Sequence, residues 1–196
     1  MATTRTHERI LDAATRLFAD EGVHATSVDR VIAEADVAPM TVYRHFTGKD
    51  DLVTATLERW SERWLERLRE EAWLAGDDPA ARLEALWDAL EKWFADEGFR
   101  GSYVANVAIE LRARPAHPAQ AVVVAHRVAL RRLLQDLLSD AGDPPPAATV
   151  LQLQMLIDGA TAAAAVDRQP VAAAGARALA ASLLPAVAPG RALAGR

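Results

Sequence analysis

Apolar residues recur at helical spacing along almost the whole chain, and no stretch alternates at period two for long enough to build a sheet. The pattern predicts an all-α protein of about nine helices. Residues 6–21 place Ile10, Ala14, Leu17 and Phe18 on one face and stop at Gly22, a residue suited to a left-handed C-terminal cap. Thr26 or Ser27 then caps a short second helix whose inward residues are Val28, Val31, Ile32 and Ala35. A turn over 36–38 leads to Pro39, which suits a first helical position because it has no amide to leave unsatisfied there. Residues 40–46 add less than two turns before Thr47-Gly48 breaks them. A fourth helix over 50–74 is roughly 36 Å long at about 1.5 Å per residue, and Val53, Leu57, Trp60, Trp64 and Leu68 form its apolar stripe. Gly- and Pro-containing breaks then separate five more helices, over 80–95, 101–113, 119–141, 147–167 and 171–184. The tail from Pro185, built of Ala, Pro, Gly and Arg, is expected to fray.

Three regions follow: an N-terminal three-helix unit over 1–49, a larger helical domain over 50–188, and a tail over 189–196. With 196 residues and 51% hydrophobic content, the chain can bury one large or two small cores. It has no cysteine, which excludes disulfides and thiolate metal sites. Its first eight residues lack the apolar run of a signal peptide, and no stretch approaches the ~20 continuous apolar residues of a membrane span. A cytoplasmic protein with no membrane partner is expected.

Charge narrows what the N-terminal unit can do. Net charge is −5, the wrong sign for a protein that grips nucleic acid with its whole surface. Within residues 1–52, six basic residues (Arg5, Arg9, Arg16, Arg30, Arg44 and Lys49) face nine acids. DNA binding must therefore rest on a few placed donors.

The third helix supplies them. Val42 and Phe46, at i and i+4, turn inward, so Met40, Thr41, Tyr43, Arg44 and His45 point outward or sit at the rim. A packing corner would more often carry Glu, Lys or Gln there. A hydroxyl with a methyl, a phenol, a guanidinium and an imidazole are instead groups that meet phosphates, base edges and thymine methyls. Only two of the 22 basic residues are lysines, Lys49 and Lys92, so Lys49 at the start of the fourth helix stands out as a candidate phosphate clamp; the alternative is a solvated lysine at a helix start.

The run Thr41-Val-Tyr-Arg-His-Phe-Thr-Gly-Lys-Asp-Asp-Leu52, preceded by Phe18, Gly22 and Thr26-Ser-Val28, resembles the Thr-Leu-Tyr-x-His-Phe-x-x-Lys-Glu-x-Leu signature of TetR-family transcriptional regulators. The resemblance covers residues 6–52; the later helices match in number and length alone. It implies that Thr26 or Ser27, Tyr43 and Lys49 clamp phosphates of double-stranded DNA, that Pro39, Met40, Thr41 and Arg44 face the groove floor, and that His45 lies against the backbone or beneath the reading helix. Two departures are visible. Ala38 replaces the small hydroxyl residue that often caps the reading helix, and Met40 is bulky where a small residue is frequent, which puts the operator sequence in doubt.

Aromatic residues at helical spacing are usually core, and all five tryptophans fall between positions 60 and 93. The alternative is a ligand cavity lined by Trp64, Trp87, Leu90, Tyr103, Val107, His126, Leu130 and Met155, with Asn106 and Asp158 as sparse polar groups that orient a small molecule. Resemblance to ligand-sensing regulators favours the cavity. The last two helices are rich in small residues, with Ala160-Thr-Ala-Ala-Ala-Ala165 on one and Gly175 inside the other, which permits close helix contact. A homodimeric four-helix interface would bury Leu156, Ile157, Ala163, Val166, Leu179 and Leu183; the alternative is a helix pair within a monomer.

Enzymatic chemistry finds little support. Glu21-Gly-Val-His24 has the spacing of a di-iron bundle ligand pair but occurs once and spans a helix-ending glycine. There is no Gly-rich phosphate loop, His-Glu-x-x-His or nucleophile elbow, and no metal or other cofactor is expected. The expected function is a ligand-responsive repressor released from a palindromic operator by a small molecule. The alternative is a helical small-molecule-binding or interaction module without operator binding.

Overall fold

The computed structural model describes residues 2–139, 145–168 and 171–183, so the expected tail lies outside the described residues. Within them the chain forms nine α-helices: α1 (Ala2–Asp20), α2 (Val28–Ala35), α3 (Pro39–His45), α4 (Lys49–Leu74), α5 (Pro79–Phe94), α6 (Tyr103–Glu110), α7 (Ala119–Leu138), α8 (Ala147–Asp167) and α9 (Val171–Leu183). Residues 101–113, predicted as one helix, divide into α6 and a 3-10 turn, Leu111–Ala113. The α1 helix begins earlier than its apolar stripe requires.

Local chemistry sets the boundaries. The Ser27, Asp78 and Ser102 side chains accept backbone amides at the starts of α2, α5 and α6, and Pro39 and Pro79 stand in the first turns of α3 and α5. Gly22 takes φ +88° just after α1, where a side chain would be strained and would press on the Glu110 carboxylate.

Two cores form. One joins α1, α2 and α3 to the first turns of α4, to α6 and to the start of α7, around Ile10, Phe18, Val31, Val42, Phe46, Leu52 and Val107. The second joins the rest of α4 to α5, α7, α8 and α9, around Trp87, Leu90, Leu130, Leu134 and Leu153. Each fully buried side chain of this size contributes about 1.5–3 kcal/mol relative to exposure. Residues of α4 contribute to both cores, so one continuous helix links the N-terminal unit to the larger core.

Among the described helices, α8 is long and apolar enough to cross a membrane by length and mean hydropathy, although polar residues interrupt its apolar run. The isolated Asp158 and glutamines do not lower its average enough. In the fold α8 packs along α9 and α7, and its buried Gln154 accepts a hydrogen bond from Arg131.

A candidate nucleic-acid interface

Helices α2 and α3 are joined by a turn in which Asp36 adopts φ 50°, ψ 55°. Arg9 on α1 fastens that turn by donating from Nη2 to Ala35 O at 2.6 Å and Asp36 O at 2.8 Å. Val42 and Phe46 are buried beneath α3, leaving its other face outward. Met40 is 77% and Tyr43 51% exposed, Arg44 and Pro39 are exposed, and Thr41 is half-buried. Ala38 offers no side-chain cap, so Pro39 starts the helix without one.

Lys49 is the first residue of α4, whose N-cap, Gly48, has no side chain to satisfy the amides of the first turn. Its Nζ lies 3.4 Å from His24 O, a long contact that leaves most of its donor capacity unused. Neither Lys49 nor Arg44 has an ion pair among the described residues, so both cations remain available on the α3 side.

The acids are disposed differently. Arg59 and Arg63 from α4 pair with Glu8 and Asp12, Arg100 with Asp20, and Arg114 with Asp50. These four arginines lie outside residues 1–52 and offset the three-charge deficit there. Arg16 and Arg30 hold Glu34, Arg30 also holds Glu21, and Arg9 lies 3.8 Å from Asp36. The bond from Arg114 keeps the Asp50 carboxyl below the usual carboxylate range, so it stays ionised and paired. Seven of the nine acids of residues 1–52 thus lie in ion pairs; Asp29 and Asp51 have none among the described residues.

Two of the candidate DNA contacts turn inward. Thr26 is buried, and its Oγ1 donates to Gly22 O at 2.8 Å, because the residue closes the loop after α1. Of the Thr26 and Ser27 pair, only Ser27 is exposed, and its Oγ accepts from Arg30 N. His45 is half-buried with Nε2 unpartnered, near the His7 ring, and its pKa is lowered by burial and by His7 and Arg44. Neutral His45 thus lies beneath the helix rather than on the reading face.

The expected ligand lining does not surround one cavity. Trp87, Leu90, Tyr103, Val107 and Leu130 are buried core residues, since their side chains fill the space between helices. Met155 is 62% exposed, and Asp158 lies on the surface with Arg127 Nη1 3.0 Å away. Asn106 donates to Arg100 O, serving the loop before α6. Two predicted residues do meet: Trp64 and the buried His126 lie 5.5 Å apart in a cluster with Trp60 and Trp93. His126 Nδ1 is 2.8 Å from Ser61 Oγ, and burial pushes its pKa down to about 4.

Among the interface candidates, Ile157 is core and is removed from the exposed set because it packs inside the helical layer. Leu156, Ala163 and Leu183 are half-buried, while Val166 and Leu179 are exposed. Exposed Leu151, Met155 and Val166 share one face of α8, beside a groove of about 420 Å³ bordered by Leu156, Leu179 and Leu183.

Periodicity gives no sign of the contacts that tie α6 to the N-terminal unit and to α4. The Glu110 carboxylate accepts from His24 N at 2.9 Å, while His24 Nε2 lies 2.9 Å from Glu110 O. Buried Thr56 and Tyr103 meet through their hydroxyls at 3.0 Å. These pairs span 86 and 47 positions, and neither belongs to a local motif.

Comparison with known proteins agrees with this architecture. Residues 10–56 match the model of bacterial regulatory proteins of the tetR family. The chain is 37% identical over 65 residues to the HTH-type transcriptional regulator UidR of Escherichia coli K12, covering 33% of each. It is 30% identical over 87 residues to the fatty acid metabolism regulator protein of Bacillus subtilis, covering 44% of this chain and 43% of that one. The matched region thus spans about a third to under half the length of these curated relatives. Among solved structures, SCO4454, a TetR-family transcriptional regulator from Streptomyces coelicolor, superposes with a TM-score of 0.82 at 32% identity, over 92% of this chain and 94% of that one. Reduced NemR of E. coli shares the fold, with a TM-score of 0.81 at 20% identity over 93% of this chain and all of that one. The chain belongs to the TetR family of bacterial regulatory proteins.

Proposed function

We propose that the protein is a homodimeric, non-enzymatic, cytoplasmic transcriptional regulator that binds a palindromic operator and is released from it by a small-molecule effector. The observation that carries the reading is the outward face of α3, where Met40, Thr41, Tyr43 and Arg44 stand together beside Lys49. Pro39, Met40, Thr41 and Arg44 meet base edges; Ser27, Tyr43 and Lys49 meet phosphates, with the uncapped amides of α4 beside Lys49. Residues 1–49 read DNA, and residues 50–188 carry effector binding and dimerisation.

The apolar face of α8 and α9 supports dimerisation, because exposed Leu151, Met155, Val166 and Leu179 gain by burial against a second copy. Two reading heads on one palindrome combine through effective concentration, which suits a head with few cations. The effector acts near Trp64 and His126, where α4 can pass a change to the head.

Fluorescence anisotropy with fragments of the source genome tests the interface. Tyr43→Phe and Lys49→Ala should each weaken the selected operator at least several-fold while leaving helix content unchanged. Unchanged affinity in both variants would falsify the phosphate-clamp assignment.

A further inference from the structure

Beside the aromatic cluster of Trp60, Trp64, Trp93 and His126, α1, α4 and α5 leave a cleft of about 170 Å³. Its apolar side is Trp60, Trp64 and Trp93; its polar side is Arg59, Arg63 and Arg67. Trp60 and Trp64 are stacked with centroids 5.8 Å apart, and Trp93 stands edge-on to Trp64 at 5.5 Å. All three indoles are half-buried, so part of each ring remains uncovered within the cleft.

The arginines are not equivalent. Arg59 is nearly enclosed and bound to Glu8, Asp12 and Thr15. Arg63 is exposed and reaches the same two carboxylates, at 3.1 and 3.9 Å. Arg67 is exposed and has no ion pair among the described residues, although Glu62, Glu66 and Glu70 line the adjoining outer groove of α4. Of the three guanidinium groups that line the cleft, Arg67 is thus the one without a carboxylate partner among the described residues.

We infer that this cleft binds a small planar aromatic carboxylate, its ring lying on the indoles of Trp60, Trp64 and Trp93 and its carboxylate held by Arg67 with Arg63. The volume lies below the ~300 Å³ lower range of drug-sized pockets, so a one- or two-ring molecule is the fitting size. Indole faces and edges accept a flat ring in offset or T-shaped contact. A guanidinium fork matches the two oxygens of a carboxylate, whereas the arginines oppose a cationic ligand.

The position also couples the cleft to the reading head. Arg63 cannot turn fully toward a ligand carboxylate and keep both acidic partners on α1. Binding therefore loosens the α1–α4 contact at Glu8 and Asp12, and α1 underlies α2 and α3. This inference deepens the effector part of the proposed function and rests on it for its regulatory consequence, though not for binding itself.

Calorimetric titration of the full chain with benzoate and 2-naphthoate, beside benzamide and 2-naphthamide, tests the site. The acids should bind saturably and at least tenfold tighter than the amides. Arg67→Ala should weaken the acids about tenfold, Arg67→Lys should restore part of the loss, and Arg112→Ala, a surface change elsewhere, should leave binding unaltered. Trp93→Leu should weaken acids and amides alike. Equal binding of acids and amides, absence of acid binding, or an Arg67→Ala variant that binds like the parent would overturn the inference. Anisotropy with operator DNA separates the two readings. Acid binding without operator release keeps the site and removes its regulatory role, whereas operator binding with no acid binding removes the site and leaves DNA recognition intact.

Discussion

His126 gives a quantitative test of the aromatic cluster. The ring is only 7% exposed, packs on Trp60 and Trp64, and faces Ser61 Oγ at 2.8 Å. Burial, with a smaller contribution from Arg127, holds it neutral with a pKa of about 4. In the unfolded chain a histidine titrates near 6.5. Between those values the unfolded chain binds a proton that the folded chain refuses, so stability is full above about pH 6.5 and falls as pH drops toward 4. From pH 7.5 to 5 the loss attributable to this one group comes to about 2 kcal/mol. Replacing it as His126→Asn keeps a polar partner for Ser61 and removes the titration. The variant begins less stable, because part of the ring volume is lost, but its stability should fall about 2 kcal/mol less over the same interval. Urea unfolding at fixed protein concentration, followed by far-ultraviolet circular dichroism at pH 7.5, 6 and 5, reads the difference directly. Equal losses in parent and variant would refute the claim that His126 is buried neutral.

Two further outcomes follow from contacts between elements. Glu110→Ala removes the acceptor of the His24 amide without touching the reading face; it should cost about 1 kcal/mol in urea unfolding and shift operator affinity or effector response, whereas unaltered behaviour in all three would show the contact to be idle. Leu179→Glu places a charge on the exposed apolar face of α9 and should convert dimer to monomer in analytical ultracentrifugation at micromolar concentration; an unchanged dimer mass would place the interface elsewhere.

The helices were largely legible because each rests on local rules. The Pro39 start, the Ser27 cap and the Val42–Phe46 spacing are each contained within a few residues, and together they give the helix-turn-helix without long-range information. The candidate groove-facing residues were legible for the same reason, since a short helix with two buried positions leaves little choice for the rest. Side-chain destinations between distant helices were not. Periodicity places Trp87 and Trp93 both on α5, yet it cannot say that the first is enclosed and the second borders a cleft. Helical spacing sets Met155 and Ile157 on opposite sides of α8 but not which of them faces inward, because apolar residues lie on every side of that helix. The pairing of head acids with Arg59, Arg63, Arg100 and Arg114 was equally hidden, and a count confined to residues 1–52 misstates the local charge.

The most direct test of the central claim is the salt dependence of operator binding by the parent and Lys49→Ala proteins, with footprinting of the bound site. The account predicts protection of a short palindrome, a steep linear fall of log affinity with log salt, and a slope shallower by about 2 in the variant, one phosphate contact being lost from each of two heads. Binding that is insensitive to salt, or a variant with the parental slope, would contradict it.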